Sequence, residues 1–246
     1  MRLDHYLVEH HLVKSRSQAT DYIKRGLVLV DDVKITKAGF EIKDQIIKIT
    51  EEAPFVSRAG EKLMQAILDF KLDFHDKIVV DIGSSTGGFT DCSLSHGAKL
   101  VYAYDVGEDQ MDFELRKNPK IQLHEKTNIL DVKLPSNDII LIDVSFTSIK
   151  PILKHIVEEA HEIIALIKPQ FEAGHIKFKS GVLKDQKMHK SILKDVLTFA
   201  SELGFSSVNL EKTQLLGKSG NQEYLLHLSK SKVSKSIEEM IRSALC

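Results

Sequence analysis

The sequence has 246 residues, 42% of them hydrophobic and 28% charged, and a formal net charge of -1 at pH 7. This composition is typical of a globular protein with a full apolar core, and it excludes a chain that is disordered over long stretches. Because the net charge is close to zero, any affinity for nucleic acid must come from local clusters of cations.

The first 50 residues have the pattern of a small module of two helices and a sheet. Apolar residues recur at helical spacing over residues 3 to 13, which predicts a first helix. Ser15 and Gln18 have the spacing of a capping box and predict a second helix over residues 16 to 24. Short β-like runs follow at residues 28 to 30, 33 to 35 and 46 to 49.

Residues 57 to 230 are predicted to form a second domain, after a linker at residues 51 to 56 and before a C-terminal helix in residues 231 to 246. Its predicted strands lie at residues 78 to 81, 100 to 105, 139 to 143, 163 to 167 and 223 to 228, and its predicted helices at residues 61 to 70, 88 to 95, 149 to 160 and 188 to 203. Continuous apolar runs such as residues 139 to 142 fit strands that helices cover on both faces. We therefore expect an α/β fold with a mostly parallel sheet.

A glycine-rich turn, residues 81 to 90, joins the first predicted strand of this domain to the next helix. Glycine lets a ligand approach the backbone closely because it has no Cβ atom. The spacing is G-x-x-x-G-G and not the G-x-G-x-x-G of dinucleotide sites, which weakens an NAD interpretation. Asp105 ends the following strand, where doubly wound folds place an acid that accepts hydrogen bonds from ribose hydroxyls. The pattern favours S-adenosylmethionine, although the same glycines would also permit tight packing of helix on strand.

Four polar residues, Lys62, Asp143, Lys168 and Glu223, stand at the ends of elements that border this turn. Each of them taken singly also fits a solvated surface. Methyl transfer to a ribose hydroxyl gives a reason for the set, because a base must take the hydroxyl proton during the attack on the sulfonium methyl group. A lysine accepts a proton only when it is neutral, and partial burial beside a second lysine favours that state. Lys62 and Lys168 would form this pair, with Asp143 and Glu223 orienting them.

Several sequence blocks carry a resemblance to one protein family. They are residues 2–4, 15–19, 23–26 and 28–30, followed by residues 57–63, 81–90, 142–146, 167–172 and 220–224. Together they resemble the hemolysin A (TlyA) family of ribosomal RNA 2'-O-methyltransferases, whose catalytic domain is of the FtsJ (RrmJ) type. The resemblance covers nearly the whole chain. It implies a Rossmann-like sheet of the S-adenosylmethionine-dependent methyltransferases, preceded by a small α+β S4 RNA-binding domain.

The resemblance also implies roles for individual residues. The family's Lys-Asp-Lys-Glu catalytic tetrad falls on Lys62, Asp143, Lys168 and Glu223. Its cofactor pocket falls on Asp81, Gly83, Ser84, Gly87, Gly88, Phe89, Asp105 and Asn128. One departure is the pair Asp31-Asp32, where S4 domains commonly have Asn-Gly. We expect a looser turn there and no direct phosphate contact at its tip.

Cations cluster around the second predicted helix and the turns beside it. The candidate RNA-binding residues are Arg2, Lys14, Arg16, Lys24, Arg25, Lys34 and Lys37. A solvated basic face would also explain them, but the S4 resemblance favours contact with the phosphates of ribosomal RNA, free or in ribosomal subunits. A second basic stretch is a candidate loop over the substrate cleft and contains Lys177, Lys179, Lys184 and Lys187.

Three alternatives compete with a ribosomal RNA methyltransferase that acts on cytidine. They are a catalytically silent RNA-binding assembly factor, a small-molecule methyltransferase and a membrane-lysing toxin. A small-molecule enzyme would not need the S4 module. No export signal and no apolar run long enough to span a membrane supports the toxin. Because Cys92 and Cys246 also lie outside any zinc-binding spacing, we expect a cytoplasmic protein with free thiols and no metal site.

Overall fold

The computed structural model of the chain describes residues 1–13, 15–50, 54–174, 181–217 and 219–246. The chain divides into two units, Met1–Pro54 and Phe55–Cys246. Each unit has its own apolar core.

The smaller unit contains two helices and a three-stranded antiparallel sheet in the order β2-β1-β3. The bounds are α1 Leu3–Glu9, α2 Arg16–Arg25, β1 Val28–Val30, β2 Val33–Lys34 and β3 Ile47–Ile49. Helix α2 begins where the capping box predicts, because the Ser15 hydroxyl accepts a hydrogen bond from the Gln18 N–H at 3.2 Å. Helix α1 ends before the predicted Val13, because His11 adopts a left-handed φ of 53° that does not continue a helix.

The turn between β1 and β2 is tighter than the sequence predicts. Only Asp31 and Asp32 separate the paired strands, and both have left-handed φ angles, 49° and 62°. Asp31 Oδ1 accepts a hydrogen bond from the Ile46 N–H at 2.8 Å, and Lys48 Nζ donates to Asp32 Oδ1 at 2.7 Å. The prediction of a looser turn is wrong, because aspartate tolerates the left-handed region when its side chain forms such bonds.

The larger unit is built on a seven-stranded sheet in the order β6-β5-β4-β7-β8-β10-β9. The strands are β4 Ile78–Ile82, β5 Leu100–Tyr104, β6 Ile121–His124, β7 Ile139–Ile142, β8 Glu162–Ile167, β9 Ser206–Lys212 and β10 Tyr224–Ser229. The helices are α3 Arg58–Phe70, α4 Gly88–Ser95, α5 Phe113–Arg116, α6 Lys150–His155, α7 Pro169–Glu172, α8 Gln186–Glu202 and α9 Ile237–Leu245, with a 3-10 turn at Ile129–Asp131. Strand β10 runs antiparallel to both of its neighbours, whereas the pairs among β4 to β8 are parallel.

Alternate residues of the central strands point into two separate apolar clusters. Val80 and Ile140 belong to the cluster that includes residues of α6, α8 and α9, whereas Val79 and Leu141 belong to the cluster that includes residues of α3 and α4. Helices therefore cover both faces of the sheet, which confirms the predicted α/β fold.

Some elements differ from the sequence prediction. Strands β6 and β9 mix polar and apolar residues, and both lie at the edges of the sheet, where less apolar surface is buried. Helix α6 ends before the predicted Ala160, because the N–H groups of Glu159 and Ala160 both bond to the carbonyl of Ile156 in a turn. None of the helices in the part of the chain that the structure describes is long and apolar enough to cross a membrane.

Candidate active site

The turn after β4 places glycines where a side chain would not fit. Gly83 has a φ of 85°, and a Cβ atom there would lie 2.9 Å from the carbonyl oxygen of Asp143. Gly87 has a φ of 92° and precedes α4, and a Cβ atom on Gly88 would clash with Ser57 Oγ. Packing alone therefore requires all three glycines, and a ligand must be argued from the polar atoms of the turn.

Two buried polar atoms of this turn, Asp81 Oδ1 and Ser84 Oγ, lack a hydrogen-bond partner among the described residues. The other oxygen of Asp81 accepts a hydrogen bond from Thr90 Oγ1 at 2.6 Å. Burial raises the pKa of Asp81 to about 7. Because buried polar groups of native proteins are nearly always paired, these atoms fit a site for a polar ligand such as S-adenosylmethionine.

Asp105 directly follows β5, and its carboxylate is held in one orientation. Oδ2 accepts a hydrogen bond from the Ser85 N–H at 2.8 Å, and Oδ1 accepts one from the Gly107 N–H at 2.7 Å. Each oxygen keeps further acceptor capacity for ribose hydroxyls. Two other predicted pocket residues have structural contacts, since Asn128 Oδ1 caps the 3-10 turn and the Phe89 side chain is buried in the apolar cluster under α3.

The four predicted tetrad residues come from different elements that meet at the carboxyl ends of the central strands β7 and β8. Lys62 lies on α3, whereas Asp143 and Lys168 directly follow the adjacent parallel strands β7 and β8. Glu223 directly precedes β10, whose first residue pairs with Ile167 at the end of β8. The topology therefore brings together residues that are far apart in the sequence.

The tetrad forms two buried ion pairs. Lys62 Nζ lies 2.5 Å from Glu223 Oε2, and Lys168 Nζ lies 2.7 Å from Asp143 Oδ1. Both lysine side chains are only 10% exposed. A charge in such a position is strongly disfavoured without a partner, so each lysine depends on its carboxylate.

The Asp143 carboxyl interacts with all three other members of the tetrad. Burial raises its pKa, Glu223 acts in the same direction, and the cations Lys168 and Lys62 oppose the shift. A carboxyl group with a raised pKa is a better proton acceptor for the neighbouring ammonium group than an ordinary aspartate. The four residues are therefore coupled electrostatically through Asp143.

Sequence reasoning assigned no role to Ser145 and Phe146, which follow Asp143 closely. Lys168 Nζ donates a hydrogen bond to Ser145 Oγ at 3.0 Å. Phe146 is 90% exposed and has a φ of 66°, and its ring centroid lies 5.1 Å from that of Phe171. An exposed aromatic side chain on an active-site loop is suited to stacking on a nucleotide base. Their position directly after the tetrad aspartate was the available signal.

In the smaller unit, two predicted RNA-binding arginines share one buried carboxylate. Arg2 donates to both oxygens of Asp4, at 2.9 and 3.0 Å, and Arg16 Nη2 lies 3.4 Å from Asp4 Oδ2. The hydrogen bond from Arg2 lowers the pKa of Asp4 to about 2. The arginine side chains themselves are 50% and 63% exposed, so they can contact a phosphate group while Asp4 holds them.

The other predicted RNA-binding residues are less uniform. Lys24 is exposed on α2 and Lys37 is exposed after β2, whereas Arg25 lies 3.7 Å from Asp21 and the stem of Lys34 packs against Gly26. In the second basic stretch, Lys184 is exposed before α8, and Lys187 is exposed in its first turn. The remaining candidates lie outside the described residues, namely Lys14, Lys177 and Lys179.

Comparison with known proteins assigns both parts of the chain to families. The model of the FtsJ-like methyltransferases matches residues 55–230, and the model of the S4 domain matches residues 1–45.

Individual relatives are similar over almost the whole chain. Hemolysin A of Brachyspira hyodysenteriae is 41% identical over 240 residues, which cover 92% of this chain and 99% of that protein. The 16S/23S rRNA (cytidine-2'-O)-methyltransferase TlyA of Mycobacterium tuberculosis is 33% identical over 259 aligned residues, covering 99% of this chain and 97% of that protein. A solved structure of a candidate hemolysin from Streptococcus thermophilus has a TM-score of 0.75 and 36% identity, covering 98% of this chain and 94% of that one.

The matched ranges, the sheet order and the glycine turn agree with one another. The chain therefore belongs to the FtsJ-like family of S-adenosylmethionine-dependent methyltransferases, in the hemolysin A (TlyA) group that carries an N-terminal S4 domain.

Proposed function

We propose that the protein transfers a methyl group from S-adenosylmethionine to the 2'-hydroxyl of a cytidine in ribosomal RNA. The observation that carries this proposal is the pair of buried lysine–carboxylate contacts, Lys62–Glu223 and Lys168–Asp143, beside the glycine turn. The similarity to relatives named as cytidine-2'-O-methyltransferases of 16S and 23S ribosomal RNA supports the substrate class. A ribosomal RNA substrate would place the activity in the cytoplasm, where ribosomes are assembled.

The residues around the glycine turn would hold the cofactor. Asp81 Oδ1 and Ser84 Oγ are polar atoms without a partner among the residues that the structure describes, and the Asp105 carboxylate is oriented to accept hydrogen bonds from ribose hydroxyls. When bound, S-adenosylmethionine supplies an electrophilic methyl group on a sulfonium centre. The tasks left to the protein are to orient the hydroxyl group and to remove its proton.

Lys168 is the proposed general base. Its Nζ contacts Asp143 Oδ1 at 2.7 Å and Ser145 Oγ at 3.0 Å, so two neighbours fix its position. For this role Lys168 must be neutral, and the Asp143 carboxyl that contacts its Nζ, whose pKa burial raises, would accept its proton. The amine then accepts the proton of the ribose hydroxyl as the oxygen becomes a nucleophile.

Lys62 and Glu223 would support this step from the other side of the cluster. The cation of Lys62 is paired with Glu223 at 2.5 Å and also interacts with Asp143. A cation at this position would disfavour a second cation on Lys168, and it would stabilise the developing negative charge on the attacking oxygen.

The smaller unit would bind the RNA. Arg2 and Arg16 are partly exposed and held by the buried Asp4, and Lys24 is exposed on the same helix as Arg16. Guanidinium groups fixed in this way suit phosphate oxygens, which position an RNA without reading its sequence.

Methyl transfer to ribosomal RNA tests the proposal directly. The purified protein, given methyl-labelled S-adenosylmethionine and either ribosomal subunits or free ribosomal RNA, should label a cytidine at the 2'-oxygen, and the mapped site should be unmethylated in cells that lack the protein. A deletion of residues 1–50 should abolish labelling of RNA but keep cofactor binding. RNA binding without any label on either substrate would instead favour a silent assembly factor, and a label confined to small molecules would favour a different enzyme class.

A further inference from the structure

A partly buried carboxylate beside the candidate active site, Glu172, takes no part in the proposed methyl transfer. It ends helix α7, which directly follows Lys168. Oε2 accepts a hydrogen bond from Ser148 Oγ at 2.5 Å, and Oε1 accepts one from the Ile149 N–H at 2.8 Å. Burial raises the pKa of this carboxyl, so its location costs free energy that these hydrogen bonds must offset.

The two hydrogen bonds join segments that follow different strands. Ser148 and Ile149 belong to the loop of residues 143–149 after β7, and Glu172 belongs to the corner after β8. Ile149 precedes the first residue of α6 and provides no side-chain cap, and Ser148 Oγ accepts a hydrogen bond from the Lys150 N–H at 3.1 Å. Glu172 and Ser148 therefore supply the cap that the α6 sequence lacks.

The same two segments touch at further places along the chain. Lys168 contacts Asp143 and Ser145, and the ring of Phe171 contacts that of Phe146. The hydrogen bonds of Glu172 to Ser148 and Ile149 are the contacts at the C-terminal end of this loop.

Phe146 lies between these contacts in a conformation that needs support. A φ of 66° is unfavourable for a phenylalanine, and such a conformation persists only where the surrounding structure imposes it. The ring itself is 90% exposed, so burial of the side chain does not hold it. The contact with Phe171 and the fixed ends of the loop are left to impose the conformation.

We propose that Glu172 is a positioning residue, which fixes the loop of residues 143–149 so that Ser145 and Phe146 stay in place beside Lys168. The catalytic consequence rests on the proposed function, whereas the effect on the loop does not. Removal of the Glu172 carboxylate frees Ser148 and Ile149, and the strained loop relaxes. Ser145 then no longer holds Lys168, and Phe146 no longer presents its ring at a fixed place.

A fluorescence measurement tests the effect on the loop without substrate. The sequence contains no tryptophan, so Phe146→Trp introduces a single reporter. Glu172→Ala in this background should lower the residual anisotropy of the reporter in a time-resolved measurement. Glu172→Gln should keep most of that anisotropy, because the amide oxygen can still accept the hydrogen bond from the Ile149 N–H. The matched control is Asp138→Ala, since Asp138 Oδ2 likewise accepts a backbone hydrogen bond, from Ile78 at 2.8 Å, but lies at the opposite end of β7 from the loop. Unchanged anisotropy in Glu172→Ala, or an equal drop in the control, would overturn the proposal.

A kinetic measurement in the chain with the native Phe146 tests the consequence for catalysis. Glu172→Ala should lower kcat by about 10- to 100-fold, the usual effect of a small misplacement in an active site, while its affinity for S-adenosylmethionine stays unchanged. Glu172→Gln should remain within about threefold of wild type, because most of the hydrogen bonding is kept. Asp138→Ala should keep kcat even where it lowers the melting temperature.

A kcat that follows melting temperature across all three variants would show that Glu172 only stabilises the fold. A wild-type protein that methylates no RNA would refute the proposed function, and the anisotropy result alone would then decide the role of Glu172 in the loop.

Discussion

Both units of this protein place cations against buried carboxylates, but with different cations and different exposure. In the smaller unit, Arg2 and Arg16 are half or more exposed and share Asp4. In the larger unit, each tetrad lysine is 10% exposed and contacts its own carboxylate, as Lys168 contacts Asp143. The cations of the smaller unit are therefore accessible to solvent, whereas the lysines of the larger unit are buried.

The difference follows from what each cation can do. A guanidinium group stays protonated at any working pH and has a fixed fork of donors, which suits static recognition of phosphate. An amine can lose its proton when burial and neighbouring charges favour the neutral form. Static binding and proton transfer therefore call for different cations, although the pattern of cation and carboxylate is shared.

The largest effect that sharpens this comparison is expected from Lys62→Ala. The variant leaves Glu223 buried without its cation and removes a positive neighbour of Lys168, so methyl transfer at neutral pH should fall by about 100-fold. Activity should recover partly at high pH, where Lys168 loses its proton without help. The double variant with Glu223→Gln removes both charges and should need a smaller rise in pH. A pH–rate profile of both variants with the same shape as that of wild type would contradict the account.

A smaller but clear effect is expected when the glycine turn is filled. Gly83→Ala places a Cβ atom 2.9 Å from the carbonyl oxygen of Asp143 at a φ of 85°, so calorimetry should show at least about a tenfold loss of affinity for S-adenosylmethionine. Gly204→Ala is the matched control, because its φ of 86° is equally strained but a Cβ atom there would meet no atom of the described residues within 4 Å. If both variants bind the cofactor equally well, the turn is not the cofactor site.

RNA binding should respond to charge in the smaller unit by several-fold. Lys24→Glu, combined with Arg16→Gln to avoid placing a carboxylate against Asp4, should weaken the affinity for ribosomal RNA. The slope of log affinity against log salt should become shallower by about 0.7 to 0.9 for each lost phosphate contact. Lys43→Glu, at another exposed lysine of the same unit, should leave the slope unchanged. An equal loss in all these variants would indicate a nonspecific effect of net charge.

The stability of the two units should also depend on pH, and in opposite directions. Burial raises the pKa of Asp81 to about 7, above its unfolded value, so the folded protein should gain stability as the pH falls from 7 towards 4. Arg2 lowers the pKa of Asp4 to about 2, so the stability contributed by Asp4 is present above pH 4 and is lost as the pH falls from 4 towards 2. Thermal midpoints of the Asp81→Asn and Asp4→Asn variants across this range should show each dependence removed separately. If the thermal midpoints of both variants depend on pH as those of the wild type do, neither group has the assigned role.

Most of the α/β architecture follows from local sequence signals. Central strands such as residues 139–142 are continuous apolar runs, and Ser15 with Gln18 opens α2 where the capping box indicates. The edge strands β6 and β9 lack this signal, because polar residues interrupt their apolar runs. The tight turn at Asp31-Asp32 depends on Ile46 and Lys48, which the residues of the turn cannot reveal.

For the candidate site, the sequence indicates the candidate residues but not how they are paired. The tetrad and the glycine turn are visible as motifs, but the pairing of Lys62 with Glu223 depends on the antiparallel contact between β10 and β8. Glu172 and Ser145 lie inside recognisable blocks, yet their contacts cross from one loop to another. Such long-range hydrogen bonds require the fold.

The most direct test of the central claim is methyl transfer by Lys168 variants across pH, with ribosomal RNA as the substrate. Lys168→Ala should keep RNA and cofactor binding while the rate falls by about 100-fold or more, the scale for loss of a general base. Lys168→Arg should be equally slow at every pH, because a guanidinium group cannot accept the hydroxyl proton. Rates near those of wild type from Lys168→Arg would contradict the assignment of Lys168 as the base.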